Sequence, residues 1–136
     1  MTDARAVIDR HIEAFNARTP DEEPWSDDAE LIAPGGTFTG RDGVLEFLSV
    51  FQAAFSDGRL TVRSAVVDGA DASVEGVFGG VHDGILNSPS GPVPATGKSV
   101  SFRWSATYRI RDVELISEHL YFDQLDFLGQ LGLLPG

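Results

Sequence analysis

Residues 100–110 constrain the fold of this chain more than any other stretch. Val100, Phe102, Trp104, Ala106, Tyr108 and Ile110 are apolar, and Ser101, Arg103, Ser105, Thr107 and Arg109 between them are polar. A period of two sustained over this length is a β-strand with one face buried and the other wet. The turn Arg111-Asp112-Val113 follows, and the chain returns in a strand ending at Asp123. Such a hairpin cannot bury its apolar face alone, so it needs further strands and a covering layer.

The rest of the sequence supplies both. Ile8, Ile12 and Phe15 fall at helical spacing, which predicts an amphipathic helix from about Asp3 to Arg18. Pro20 and Pro24 leave room for a short helical turn around Glu22 to Trp25. Leu31 and Ile32 suggest a brief strand closed by Pro34-Gly35-Gly36. A second helix follows Gly40, with Val44, Phe47, Leu48, Phe51 and Phe55 on one stripe. After Asp57-Gly58 the period changes to two: Leu60, Val62 and Val66 mark one strand and Val74 to Val81 another. The Gly-, Pro- and Ser-rich stretch from His82 to Gly97 reads as a long loop, either a lid or a connector. Leu125, Leu128 and Leu131 end the chain in a short helix, whose N-cap is expected to be Asp123.

Helices first and long antiparallel strands afterwards predict an α+β fold in one domain over residues 1–136. Helices on one face of a curved sheet leave a natural pocket between them. The net charge of −11 argues against nucleic acid or an anionic membrane surface as partner. There is no cysteine, which removes disulfides and thiolate chemistry. The start of the sequence lacks the pattern of a signal peptide, so a cytoplasmic location is expected. The three histidines lie in separate elements without metal-ligand spacing, and no Gly-rich phosphate loop opens a helix. Neither a metal nor a nucleotide cofactor is expected.

Side-chain parity across the hairpin identifies the candidate chemistry. If Phe102, Trp104, Ala106 and Tyr108 share the inner face, then Ile116, Glu118, Leu120 and Phe122 should share it across the turn. Glu118 is then the ionisable group on that apolar surface, where burial would raise its pKa into the range useful for acid/base work. A small bulge could equally turn it to solvent. Glu75 is a second candidate, on a strand whose two faces are both apolar enough to leave its direction open. His82, at the mouth of the long loop, could bind substrate, shuttle protons or make a structural hydrogen bond. His11 and His119 have weaker claims. Trp25, Trp104, Tyr108, Phe102, Leu120, Phe122 and Ala106 are read as core or cavity lining, and so as the candidate substrate-binding set.

Several segments carry a resemblance. They include Phe15-Asn16-Ala17, Ala33-Pro34-Gly35-Gly36-Thr37-Phe38-Thr39-Gly40-Arg41-Asp42-Gly43 and Phe51-Gln52-Ala53-Ala54-Phe55-Ser56-Asp57. Others are Gly80-Val81-His82-Asp83-Gly84, Thr96-Gly97-Lys98-Ser99, Tyr108-Arg109-Ile110-Arg111-Asp112, Tyr121-Phe122-Asp123-Gln124-Leu125 and Gln130-Leu131-Gly132. In order and spacing the chain resembles the SnoaL-like polyketide cyclases and ester cyclases, of the nuclear-transport-factor-like superfamily. The resemblance implies a cone-shaped α+β barrel, a curved antiparallel sheet with helices packed on one face around a central pocket. It also implies a small hydrophobic substrate, polyketide-derived molecules among them, a homodimer, and cyclase or isomerase chemistry without a cofactor. It does not fix one activity, because one fold hosts many. The acid/base pair of that family would fall at Leu120 and Ala106, neither of which can move a proton. The carboxylates of limonene epoxide hydrolase and ketosteroid isomerase are absent as well, the latter position being Ala33. The segment from Gly84 to Thr96 is longer than is usual in the family. The expectation is therefore an enzyme using Glu118, His82 and Glu75, or a binding domain that has lost its catalytic pair.

Overall fold

The computed structural model describes residues 3–134. Helix α1 (Ala4–Ala17) starts at Asp3, whose side chain accepts from the Ala6 amide. It ends at Arg18 in the left-handed conformation, with the Arg18 N–H returned to the Ala14 and Phe15 carbonyls. A single 3-10 turn over Pro20–Glu22 leads into β1 (Trp25–Ala33), which is longer than Leu31 and Ile32 alone suggested and begins at Trp25. Strand β2 (Gly36–Thr39) folds back on β1, and α2 (Gly40–Ala54) follows. Strands β3 (Arg59–Asp68) and β4 (Asp71–Val81) form a hairpin. A small hairpin, β5 (Leu86–Ser88) and β6 (Gly91–Val93), precedes the long pair β7 (Ser99–Arg111) and β8 (Glu114–Phe122). Helix α3 (Gln124–Gln130) closes the chain, and Asp123 caps it by accepting from the Asp126 amide at 3.0 Å.

The main sheet runs β2-β1-β8-β7-β4-β3. All its pairs are antiparallel except β1 with β8, which is parallel. The expected antiparallel barrel is thus a mixed, curved sheet of six strands that stays open, with β2 and β3 as its edges.

Side chains lock the helices to the sheet. Asn16 reads the Leu60 backbone in both directions, accepting from its amide at 2.8 Å and donating to its carbonyl at 2.9 Å. Arg18 donates to the carbonyls of Gln52, Phe55 and Ser56, satisfying the end of α2. Arg41 donates to the carbonyls of Pro20, Glu23 and Trp25, and so fixes the segment that enters β1. Phe51, Phe55, Phe78, Phe102, Phe122 and Phe127 form a continuous aromatic cluster between α2, the sheet and α3.

The stretch from His82 to Gly97 is ordered, not a slack connector. Asp83 accepts from the Ser56 amide and hydroxyl, and Asp83 and Gly84 donate their amides to the Ala54 carbonyl. A Cβ at Gly84 would lie 2.1 Å from the Ala53 carbonyl oxygen, so only glycine allows this approach to α2. Leu86 is buried, which holds the β5–β6 hairpin down.

Candidate active site

Strand β8 brings Glu118 to the inner face, opposite Tyr108 of β7. The anticipated bulge exists, between Arg109 and Ile110, but it acts elsewhere. It pairs Ile110 with Leu115 and displaces Ile116 from the inner row, leaving Glu118, Leu120 and Phe122 in register with Tyr108, Ala106 and Trp104. Leu115 is fully buried in the place expected for Ile116.

Glu118 is 3% exposed. Burial is the main cause that lifts its carboxyl to a pKa of about 7; Glu23 adds to the rise, while His11 and hydrogen bonding from Tyr108 oppose it. Its neighbour is His11, from the apolar stripe of α1. The His11 Nδ1–H donates to Glu23 Oε1 at 2.5 Å, and Trp25 Nε1 donates to the same oxygen at 3.0 Å. With Nδ1 held by a carboxylate, Nε2 is the free nitrogen, and it lies 3.8 Å from Glu118 Oε1. Burial works against a charge on His11, yet Glu23 and then Glu118 together raise its pKa above the ordinary value. Tyr108, edge-on to His11, is kept neutral: burial, then Glu118 and Glu23, push its phenol well above 10. The result is a buried carboxylate–imidazole–carboxylate row. His11 and Glu118 face each other at 3.8 Å without a direct hydrogen bond, so the charge of each bears on the titration of the other.

This row ends at a cavity of about 50 Å³. Glu118, His11 and Tyr108 are its ionisable walls, and Phe15, Phe47, Leu48, Phe51, Leu60, Phe78, Phe102, Trp104, Leu120 and Phe122 supply the rest. Of the candidate binding residues, Trp104, Tyr108, Phe102, Leu120 and Phe122 line it. Ala106 is buried beside it without lining it, and Trp25 serves behind the site by holding Glu23. Ligand pockets usually enclose about 300–1,000 Å³, so a ligand must displace walls. Phe51, Leu60, Leu120 and Phe122 are half-buried and can give.

The other two acid/base candidates lie elsewhere. Glu75 pairs with Ser105 and is exposed, on the opposite face from Val74 and Phe78, so it forms no carboxylate pair with Glu118. His82 is fully buried at the root of the β5–β6 hairpin, against Phe55 and outside the cavity. Its Nδ1 accepts from the Thr96 amide at 3.2 Å and lies 3.0 Å from the Thr96 hydroxyl. That is the structural bond foreseen as its alternative. In the sequence, His11 has only a weak claim as a site residue and Glu23 has none. The signal for His11 was its place between Ile8 and Ile12 on the buried stripe; Glu23 had none, since only tertiary packing buries it.

No group of three or more such side chains among the described residues is placed to hold a metal ion. No helix among them is long and apolar enough to cross a membrane.

The family model of the SnoaL-like domain matches residues 8–119. This chain belongs to that family. Among solved structures, this SnoaL-like domain is similar to IdmH, a candidate polyketide cyclase from Streptomyces antibioticus. They share 27% identity over 96% of this chain and 99% of that one, with a TM-score of 0.81. TsrD from Streptomyces laurentii is 21% identical over 98% of this chain and 100% of that one, with a TM-score of 0.84. A candidate SnoaL-like polyketide cyclase from Jannaschia Sp. CCS1 is 18% identical over 97% and 93%, with a TM-score of 0.83. No curated protein matches significantly. Family and neighbours together support a cyclase-like function in general terms.

Proposed function

We propose that this SnoaL-like domain is a cofactor-independent enzyme that cyclises, isomerises or otherwise rearranges a small hydrophobic molecule of polyketide type. The observation that carries this reading is Glu118, a carboxyl buried in an apolar cavity with a pKa of about 7 and a histidine–carboxylate pair behind it. A group poised near neutrality can take a proton from one atom of a substrate and return it to another. His11 accepts or resupplies that proton through Nε2, and Glu23 holds the ring in the tautomer that leaves Nε2 free. The aromatic walls keep water out and hold the substrate folded in a reactive shape. The row stands in for the family's acid/base pair, whose positions Leu120 and Ala106 are inert. Assembly as a homodimer belongs to the same proposal.

Glu118→Gln tests it. The change keeps the shape and removes the titrating group, so turnover should fall by about 10²–10⁴-fold with ligand affinity retained. Full turnover in that variant would refute the assignment. The small cavity favours a second reading, in which the domain no longer catalyses and acts by binding alone. Under that reading Glu118→Gln changes affinity and no turnover exists to lose.

A further inference from the structure

Trp104 lines the same cavity beside the polar residues Glu118, His11 and Tyr108. Its indole lines the wall, and its Nε1–H is buried without a hydrogen-bond partner. A buried indole N–H normally finds an acceptor, and leaving one unpaired is costly. A phenylalanine would fill an apolar wall without that cost, and this core uses phenylalanine at Phe78, Phe102 and Phe122 around it. The indole is also specifically seated. Gly76, its partner on β4, lies under the ring, and a Cβ there would come within 2.4 Å of Trp104 Cζ2 and 2.5 Å of the Thr61 carbonyl. Glycine at this position thus leaves room both for the indole and for the Thr61 backbone.

The remaining polar character of the cavity limits what that N–H can meet. Lysine and arginine are absent from the lining, and Glu118, His11 and Tyr108 are its ionisable members, with Glu23 behind. A carboxylate or phosphate would face these carboxyl groups without a free cation to receive it. The register separates Trp104 from Glu118 by the Ala106–Leu120 pair, so their backbones lie roughly 13 Å apart along the sheet. A ligand reaching both is apolar between its two polar ends.

We propose that the Trp104 indole N–H is the specificity-determining donor of this cavity, selecting uncharged ligands that carry an acceptor oxygen on an otherwise apolar body. This rests on the reading of the cavity as a ligand site. Trp104 takes no part in proton transfer; it sets which end of the ligand lies away from Glu118.

The test uses two probes of nearly equal shape, acetophenone and ethylbenzene, with the whole chain labelled with ¹⁵N. Two indole N–H signals are available, and the Trp25 signal is already committed to Glu23. Acetophenone should move the Trp104 signal downfield and ethylbenzene should not. Wild-type protein should prefer the ketone by roughly three- to tenfold, and Trp104→Phe should abolish that preference while still binding both. If both probes shift the Leu60 and Leu120 methyl signals equally and the Trp104 signal stays put, the inference fails and the cavity reading survives. If neither probe binds, the cavity reading fails and this inference with it. The signal shift is read on wild-type protein, so it stands even if the variant folds poorly.

Discussion

The molecule buries two histidines at opposite ends of its sheet, and they behave as different kinds of residue. His11 meets two carboxylates, one at 2.5 Å and one at 3.8 Å, and stands against a cavity. His82 meets the amide and hydroxyl of Thr96 and stands under a hairpin. Charged partners give a buried imidazole a reason to hold a proton, whereas a backbone N–H donating to Nδ1 only sets its tautomer. Burial alone therefore does not mark a histidine as a candidate for proton transfer; charged partners do.

Breaking the His11 end should have the largest effect. His11→Ala leaves Glu23 and Glu118 buried together without their cation, which should cost about 3–5 kcal/mol in denaturant unfolding at pH 7. Next comes Glu118→Gln, read as stability against pH. The folded state holds the Glu118 proton up to about 7, against 4.5 for an ordinary carboxyl, so stability falls as pH rises through that window. His11 adds the same sign: its raised pKa stabilises below 6.5, and that contribution fades as pH rises through its folded value. The glutamine variant should lose much of this slope and be more stable than wild type at pH 8, on the order of 2 kcal/mol. At the other end Thr96→Val removes a neutral partner of His82 and should cost about 1 kcal/mol. It should speed amide exchange in the β5–β6 hairpin and leave the Glu118 titration unmoved. The smallest effect belongs to Glu75→Gln on the outer face, within about 0.5 kcal/mol of zero. A large loss of turnover there would mean that chemistry occurs outside the cavity.

The same contrast explains how much could be read beforehand. Strand periodicity placed Glu118 correctly, because one ionisable group stood out in a row of alternating apolar residues. The bulge at Ile110 could not be read, since it moves Ile116 rather than any residue with a polarity signal. Glu75 is ambiguous in the sequence because Val77 shares its face while Val74 and Phe78 mark the other, so both rows look apolar; Val74, Gly76 and Phe78 form the inner row. The open, mixed sheet was not legible either, because the β1–β8 pairing joins segments more than eighty residues apart with no local pattern linking them. Glu23 is buried by contacts from α1, Arg41 and Trp25 that arise only once the chain has folded. The long loop looked featureless because its anchors, Asp83 and Gly84, act on the α2 terminus rather than on each other.

Glu118, a buried carboxyl with a pKa raised to about 7 beside His11, is the centre of the proposed chemistry. Following the Glu118 side-chain carboxyl ¹³C signal from pH 4 to 9 tests this directly. A midpoint near 7 that moves when His11 is replaced by glutamine is the predicted result. A midpoint at the ordinary 4.5, unchanged in that variant, would contradict it.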